Sequence, residues 1–188
     1  IPIAHISGGE VTTGAFDDSL RHSITKMSWW HFVTNFESKK RVIQLGENPS
    51  RVFVTGSMGI DMIKNTNLKS KTQLEKELKI NFNKKNILVT YHTETLENNK
   101  PKFLFKKILS ALKEINDTNF FFTSPNADTD GQIIYLMIKK FIHKKKNCYL
   151  FKSLGKTYYL SLLSFVDIII GNSSSGLIEA PYFKKYTI

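Results

Sequence analysis

Short apolar runs rich in β-branched and aromatic residues alternate along this chain with longer amphipathic stretches. IPIAHI, HFVT, RVFVTG, NILVTY, NFFFT, NCYLF and VDIIIG read as strands. Several are nearly continuous in apolar residues, the pattern of strands buried on both faces. Helical periodicity occupies residues 17–29, 36–45, 101–115, 130–143 and 156–165. Asp17 and Asp18 open the first of these, where carboxylates complement the helix dipole. Strand–helix alternation of this kind predicts an α/β fold on a parallel, doubly wound sheet.

Residues 64–85 break the alternation. They are polar, rich in Lys and Asn and without a strand, with room for one short helix at 73–78. The division this predicts has residues 1–65 ending a first Rossmann-like domain, 66–85 as a linker, and 86–188 as a second, nucleotide-binding Rossmann-like domain. The chain opens on IPIAHI without an initiator Met and closes on EAPYFKKYTI. Both ends read as interrupted strands, so the expectation is a fragment with both domains incomplete, inactive alone. There is no internal repeat and no low-complexity tract.

A chain of 188 residues with 41% apolar content can bury one good core or two small ones. The single Cys148 can form no internal disulfide, and Ser161, Ser164 and Asp167 interrupt the most apolar stretch. The expectation is a cytoplasmic protein with no membrane partner. A net charge of +11 favours anionic partners without choosing among nucleic acid, membrane surface and nucleotide diphosphate. The lysines fall mostly in isolated pairs on polar faces, and no known nucleic-acid module appears, so nucleic acid is not an expected partner.

Candidate chemistry lies in the loops that follow strands, the ligand-binding edge of such sheets. After the first strand, HISGGEVTTGAFDDSLRH (His5 to His22) sets Gly8, Gly9 and Gly14 among Glu10, Asp17, Asp18 and Arg21. Glycines admit a close ligand, carboxylates transfer protons, and a guanidinium holds phosphate or carboxylate. Asp17 and Asp18 suit helix capping equally well, whereas Glu10 has no capping role. GNSSSGLIEA (Gly171 to Ala180) follows a strand and precedes a helical stretch. Ser173, Ser174 and Ser175 could bind phosphate or merely cap a helix, and Glu179 could accept from ribose hydroxyls. The loops YHTETLENN and SPNADTDG place His92, Glu94, Asn126, Asp128 and Asp130 on the same edge. No calcium-loop spacing, paired His or second Cys supports a metal, and no dinucleotide or Walker motif is present.

Taken in order, HxxGGE with DDSxRHxITK, then RVIQLGENPSRVFVTG, PNADTDG and GNSSSGLIEAP resemble the hydrolysing UDP-N-acetylglucosamine 2-epimerases of bacterial sialic acid synthesis. The resemblance spans almost the whole chain. It implies a GT-B-like fold, two Rossmann-like domains facing a cleft that holds a UDP-sugar, in a homo-oligomer, dimer or tetramer. The implied reaction removes the C2 proton and expels UDP from C1 to give a 2-acetamidoglucal, then adds water to give N-acetylmannosamine, with no cofactor. Carried over by position, Asp17 and Glu10 are the catalytic acids, and Arg21 and His22 lie near the sugar. Some relatives carry Glu where this chain has Ser7. His92, Ser173 and Ser174 match diphosphate contacts with Asn126 beside them, Glu179 matches the ribose acid, and Leu154 and Tyr159 fall where relatives hold uracil. Further family residues lie before Ile1 and after Ile188.

A similar hydrolase acting on a UDP- or GDP-linked 2,4-diacetamido-trideoxy sugar, of legionaminic acid synthesis, is the alternative. A glycosyltransferase would not need the acids at Glu10, Asp17 and Asp18. A non-catalytic binding or assembly module is the alternative of a different class.

Overall fold

A computed structural model of the chain describes residues 1–12, 17–82, 85–93, 101–125 and 129–188, except for the side chains of 101, 129 and 130. They form two compact units, Ile1–Met62 and Ile63–Ile188. The first contains β1 (Ala4–Ile6), α1 (Asp17–Met27), β2 (Trp30–Val33), α2 (Phe36–Gln44) and β3 (Val52–Val54), with α3 (Met58–Lys64) crossing the division. The strands pair in parallel in the order β1-β2-β3, with His5 opposite His31 and Val33 opposite Val54. Alternation sends Val33 and Val52 to one face, where Val42 of α2 completes a small core. Ile6 and Phe53, on the other face, are 49% and 44% exposed. Among the described residues, helices pack on one face of this sheet.

The second unit holds α4 (Lys71–Leu78), β4 (Lys85–Thr90), α5 (Pro101–Lys113), β5 (Thr118–Thr123), α6 (Thr129–Ile142), β6 (Cys148–Phe151), α7 (Gly155–Phe165), β7 (Ile168–Gly171), α8 (Glu179–Tyr182) and β8 (Tyr186–Thr187). Every strand pair is parallel, in the order β6-β5-β4-β7-β8. The period of two along each strand divides the core. Ile87, Val89, Phe120 and Phe122 pack under Phe105 and Leu109 of α5 and Ile134 and Ile138 of α6. Leu88, Phe121 and Ile169 pack on the opposite face under Leu162 and Leu163 of α7 and Ala180 of α8. This is the doubly wound arrangement that near-continuous apolar strands require.

Within the stretch 66–85, expected as a linker, residues 69–82 pack onto this unit. Ser70 caps α4 in a capping box with Gln73, and Leu74 is fully buried. The Lys69 N–H donates to the Ser161 hydroxyl at 2.9 Å, and Glu77 accepts from the Tyr158 hydroxyl at 2.6 Å while pairing with Lys69. A few apolar positions, Leu74 and Leu78 one helical turn apart and Ile80 just past the helix, do this inside an otherwise polar stretch. None of the described helices is long and apolar enough to cross a membrane.

Candidate active site

In the second unit the chain runs outward from β4 through β5 to β6, then returns to β7 on the other side of β4. The carboxyl ends of β4 and β7 therefore flank the topological switch point, where open α/β sheets form a crevice. The strands meet closely there. Thr90 lies opposite Gly171, whose φ is +139°, and a Cβ at Gly171 would stand 1.8 Å from the Thr90 carbonyl oxygen. Glycine is what permits this approach.

Beyond Gly171 the chain turns across the end of β4. Asn172 Oδ1 accepts the His92 N–H at 2.8 Å, and Asn172 Nδ2 donates to the His92 carbonyl at 2.7 Å. Ser173 accepts from the Ser175 N–H and caps a single 3-10 turn, Ser174–Gly176. A cavity of about 320 Å³ opens at these strand ends, lined by His92, Ser173, Ser174 and Glu179 together with Thr90, Thr123 and Tyr159. Glu179 Oε2 is buried there without a hydrogen-bond partner, a state that invites a donor such as a ligand hydroxyl. The Tyr159 hydroxyl donates to Ser175 Oγ at 2.6 Å, and Thr123 donates to Thr90 at 3.1 Å. Burial holds the Tyr159 phenol above its ordinary pKa, with the nearby Glu179 adding to the effect against the Ser175 hydrogen bond, so it stays a donor.

Of the residues expected to hold a nucleotide, His92, Ser173, Ser174, Tyr159 and Glu179 thus share one cavity. Leu154 packs against the core beside α7 and does not line it. Asn126 lies outside the described residues, as do Glu94 and Asp128. The helical stretch expected after the serines is only the four-residue α8, separated from them by the 3-10 turn that ends at Gly176. The polar groups the cavity presents are hydroxyls, His92 and Glu179 rather than the start of a long helix.

In the first unit, Gly9 has φ +77°, and a Cβ there would strike the Ser38 carbonyl at 2.3 Å. The glycine loop thereby lies against α2, with the Gly9 carbonyl accepting from Arg41 at 3.0 Å. Glu10 Oε1 accepts from the Thr34 hydroxyl at 3.0 Å. Asp18 accepts from the Thr12 N–H and from Arg21 at 2.7 Å, while Arg21 also donates to the Glu10 carbonyl and to Thr12 Oγ1. Asp18 and Arg21 therefore brace the loop, and Asp17 stands exposed at the first position of α1. His22, with Nδ1 buried and unpartnered, lines a separate cavity with Arg41 and Gln44.

A buried polar cluster under this loop was not foreseen. His5 Nδ1 meets Thr25 Oγ1 at 3.0 Å, and its pKa is depressed by burial first, then by His31 and Arg21. His31, fully buried, meets Glu47 at 3.2 Å, and Glu47 also accepts from Lys26 at 2.6 Å. Burial opposes ionisation of Glu47, but Lys26 and His31 outweigh it and hold its pKa below the ordinary value. The available signal was parity: His5 and His31 occupy the core-facing positions of their strands. Among the described residues, no group of His, Cys, Asp and Glu could hold a metal.

The family model described as UDP-N-acetylglucosamine 2-epimerase matches residues 1–188. The chain belongs to that family. It is 43% identical over 185 residues to the GDP/UDP-N,N'-diacetylbacillosamine 2-epimerase (hydrolyzing) of Campylobacter jejuni, covering 98% of this chain and 48% of the relative. It is 41% identical over 189 residues to a polysialic acid biosynthesis protein of Escherichia coli, covering all of this chain and 48% of that one. The chain spans about half the length of the curated relatives it matches. Among solved structures it matches the UDP-GlcNAc 2-epimerase from Neisseria meningitidis bound to UDP-GlcNAc, with TM-score 0.77 and 22% identity over 100% of this chain and 52% of that one. At that identity the likeness is one of fold, and the fold is GT-B-like, α/β with parallel sheets.

Proposed function

We propose that this chain serves a hydrolysing 2-epimerase that converts UDP-N-acetylglucosamine to N-acetylmannosamine and UDP, for sialic acid synthesis. The observation that carries the reading is the cavity at the switch point, where serine hydroxyls, His92 and Glu179, its Oε2 buried without a partner, face one space in a chain of this family. Ser173, Ser174 and His92 suit the diphosphate, and Glu179 suits the ribose hydroxyls.

The sugar C2–H is weakly acidic, so cleavage of the C1–O bond must run ahead of proton loss. The electron pair of that bond leaves on the β-phosphate oxygen, where hydrogen-bond donors stabilise it. A carboxylate takes the C2 proton, and a C1–C2 double bond forms. Water then adds at C1 and a proton returns to C2 from the opposite side, giving the inverted sugar. Glu10 and Asp17 supply the proton transfers; Asp18, paired with Arg21, is a less available base. Arg21 serves the sugar loop mainly by bracing it, and His22 serves as a further sugar-side polar group. The enzyme would work as a homo-oligomer in the cytoplasm, without a redox cofactor.

A second reading, a UDP- or GDP-linked 2,4-diacetamido sugar as substrate, is favoured by the Campylobacter jejuni relative at 43% identity. Turnover of the two nucleotide sugars by an enzyme carrying this chain separates the readings. UDP release from UDP-N-acetylglucosamine supports the first, and release only from the diacetamido sugar nucleotide supports the second. In the same enzyme E10Q and D17N should slow turnover with substrate affinity largely kept, whereas H92A should chiefly weaken UDP binding.

A further inference from the structure

We infer that Asn172 is a positioning residue for the nucleotide site, fixing His92 against the serine loop through the His92 backbone. The role rests on the reading of the switch-point cavity as the nucleotide site. Backbone N–H and C=O groups just past a strand end have left the ladder and must find side chains, other backbone or water. Here one side-chain amide takes both polar groups of a single residue, the N–H at 2.8 Å and the carbonyl at 2.7 Å. The bonds lie just past the last β4–β7 pair, Thr90 and Gly171, with an amide side chain standing in for a peptide group. Asn suits it by chemistry: one acceptor and a donor on a short stem. Asp lacks the donor, and Leu lacks both groups.

The consequence is mechanical. His92 follows β4 and Ser173, the neighbour of Asn172, follows β7, so the cavity they line has walls from two strand ends. The clamp holds the two walls in fixed register before any ligand arrives. Gly171 makes this possible by letting β7 end against the Thr90 carbonyl, which brings the Asn172 side chain alongside residue 92. A nucleotide that bridges the walls then finds its partners already ordered.

The test is a double-mutant cycle in an enzyme carrying this chain, with UDP titrated calorimetrically onto wild type, N172A, H92A and N172A/H92A. N172A should weaken UDP binding about tenfold, the loss expected when one backbone residue must be ordered on binding. Added to H92A, it should weaken binding no further, because its effect passes through His92. Multiplying effects in the double variant, or wild-type affinity in N172A, would overturn the assignment. UDP affinity unchanged by H92A would overturn the nucleotide reading itself and this role with it. Hydrogen exchange distinguishes a clamp from a general stabiliser: N172A should lose protection at the His92 amide and keep it through β4, and loss throughout β4 contradicts the role. If N172A does not fold, N172D serves in the cycle, since it keeps the acceptor for the His92 N–H and turns a repelling oxygen toward the His92 carbonyl. The same non-additivity is expected, and additivity refutes it.

Discussion

Replacing Gly171 by alanine tests whether the close approach of β7 to β4 builds the switch-point cavity. Two effects add at this position. A φ of +139° lies in a region essentially reserved for glycine, and holding alanine there costs about 1–3 kcal/mol. The new Cβ would also lie 1.8 Å from a backbone oxygen that no rotamer change can move, against ordinary contacts of 3.4 Å or more. The strand ends must part, losing one or two ladder hydrogen bonds at about 1 kcal/mol each. The sum is about 2–5 kcal/mol. Gly155 is the control within the same unit. Its φ is +64°, but nothing lies within 4 Å of its virtual Cβ, so G155A should cost only about 1–2 kcal/mol. Urea unfolding monitored by circular dichroism gives both stabilities, and UDP titration gives the site. G171A should be the less stable variant and should lose UDP binding, while G155A should keep it. Equal stabilities, or wild-type UDP affinity in G171A, would refute the reasoning.

Y159F removes the donor to Ser175 Oγ and should lower stability by about 1 kcal/mol in urea unfolding; no change would mean that the bond contributes nothing net. L74A, at a fully buried position of α4, should cost about 2–5 kcal/mol, and a cost under about 1 kcal/mol would contradict the packing of α4 onto the second unit. Because His5 has a folded-state pKa below 6.5, the unfolded chain binds its proton first as pH falls. Stability should be full above pH 6.5 and decline below it, toward the depressed folded value. H5N should flatten that part of the pH profile, and an unchanged slope would exclude His5 as its source.

The strands were legible because a parallel sheet buried on both faces leaves almost no polar position in NILVT or NFFFT. The short β8 was not, because Tyr186 and Thr187 show no pattern in isolation. Nor was α3, whose GSMGID start places glycines where a helix signal should begin. The packing around α4 was not legible, because composition describes its solvent face, while the contacts depend on Leu74 and on a hydroxyl of α7 far along the chain. The site was legible at the level of loops: strand-end residues converge by topology, so His92, the serines and Glu179 meet. What each side chain is bound to was not legible. Asp17 and Asp18 look equivalent as neighbours, yet only Asp18 holds Arg21. Asn172 reads as one more polar loop residue until its two bonds to His92 are seen. His5 and His31 look like strand residues and prove to be members of a buried cluster.

The central claim is the identity of the reaction, and solvent isotope incorporation tests it most directly. An enzyme carrying this chain, incubated with UDP-N-acetylglucosamine in D2O, should release UDP together with N-acetylmannosamine bearing deuterium at C2. Product that keeps its C2 hydrogen, or transfer of the sugar intact to an added acceptor, would contradict it.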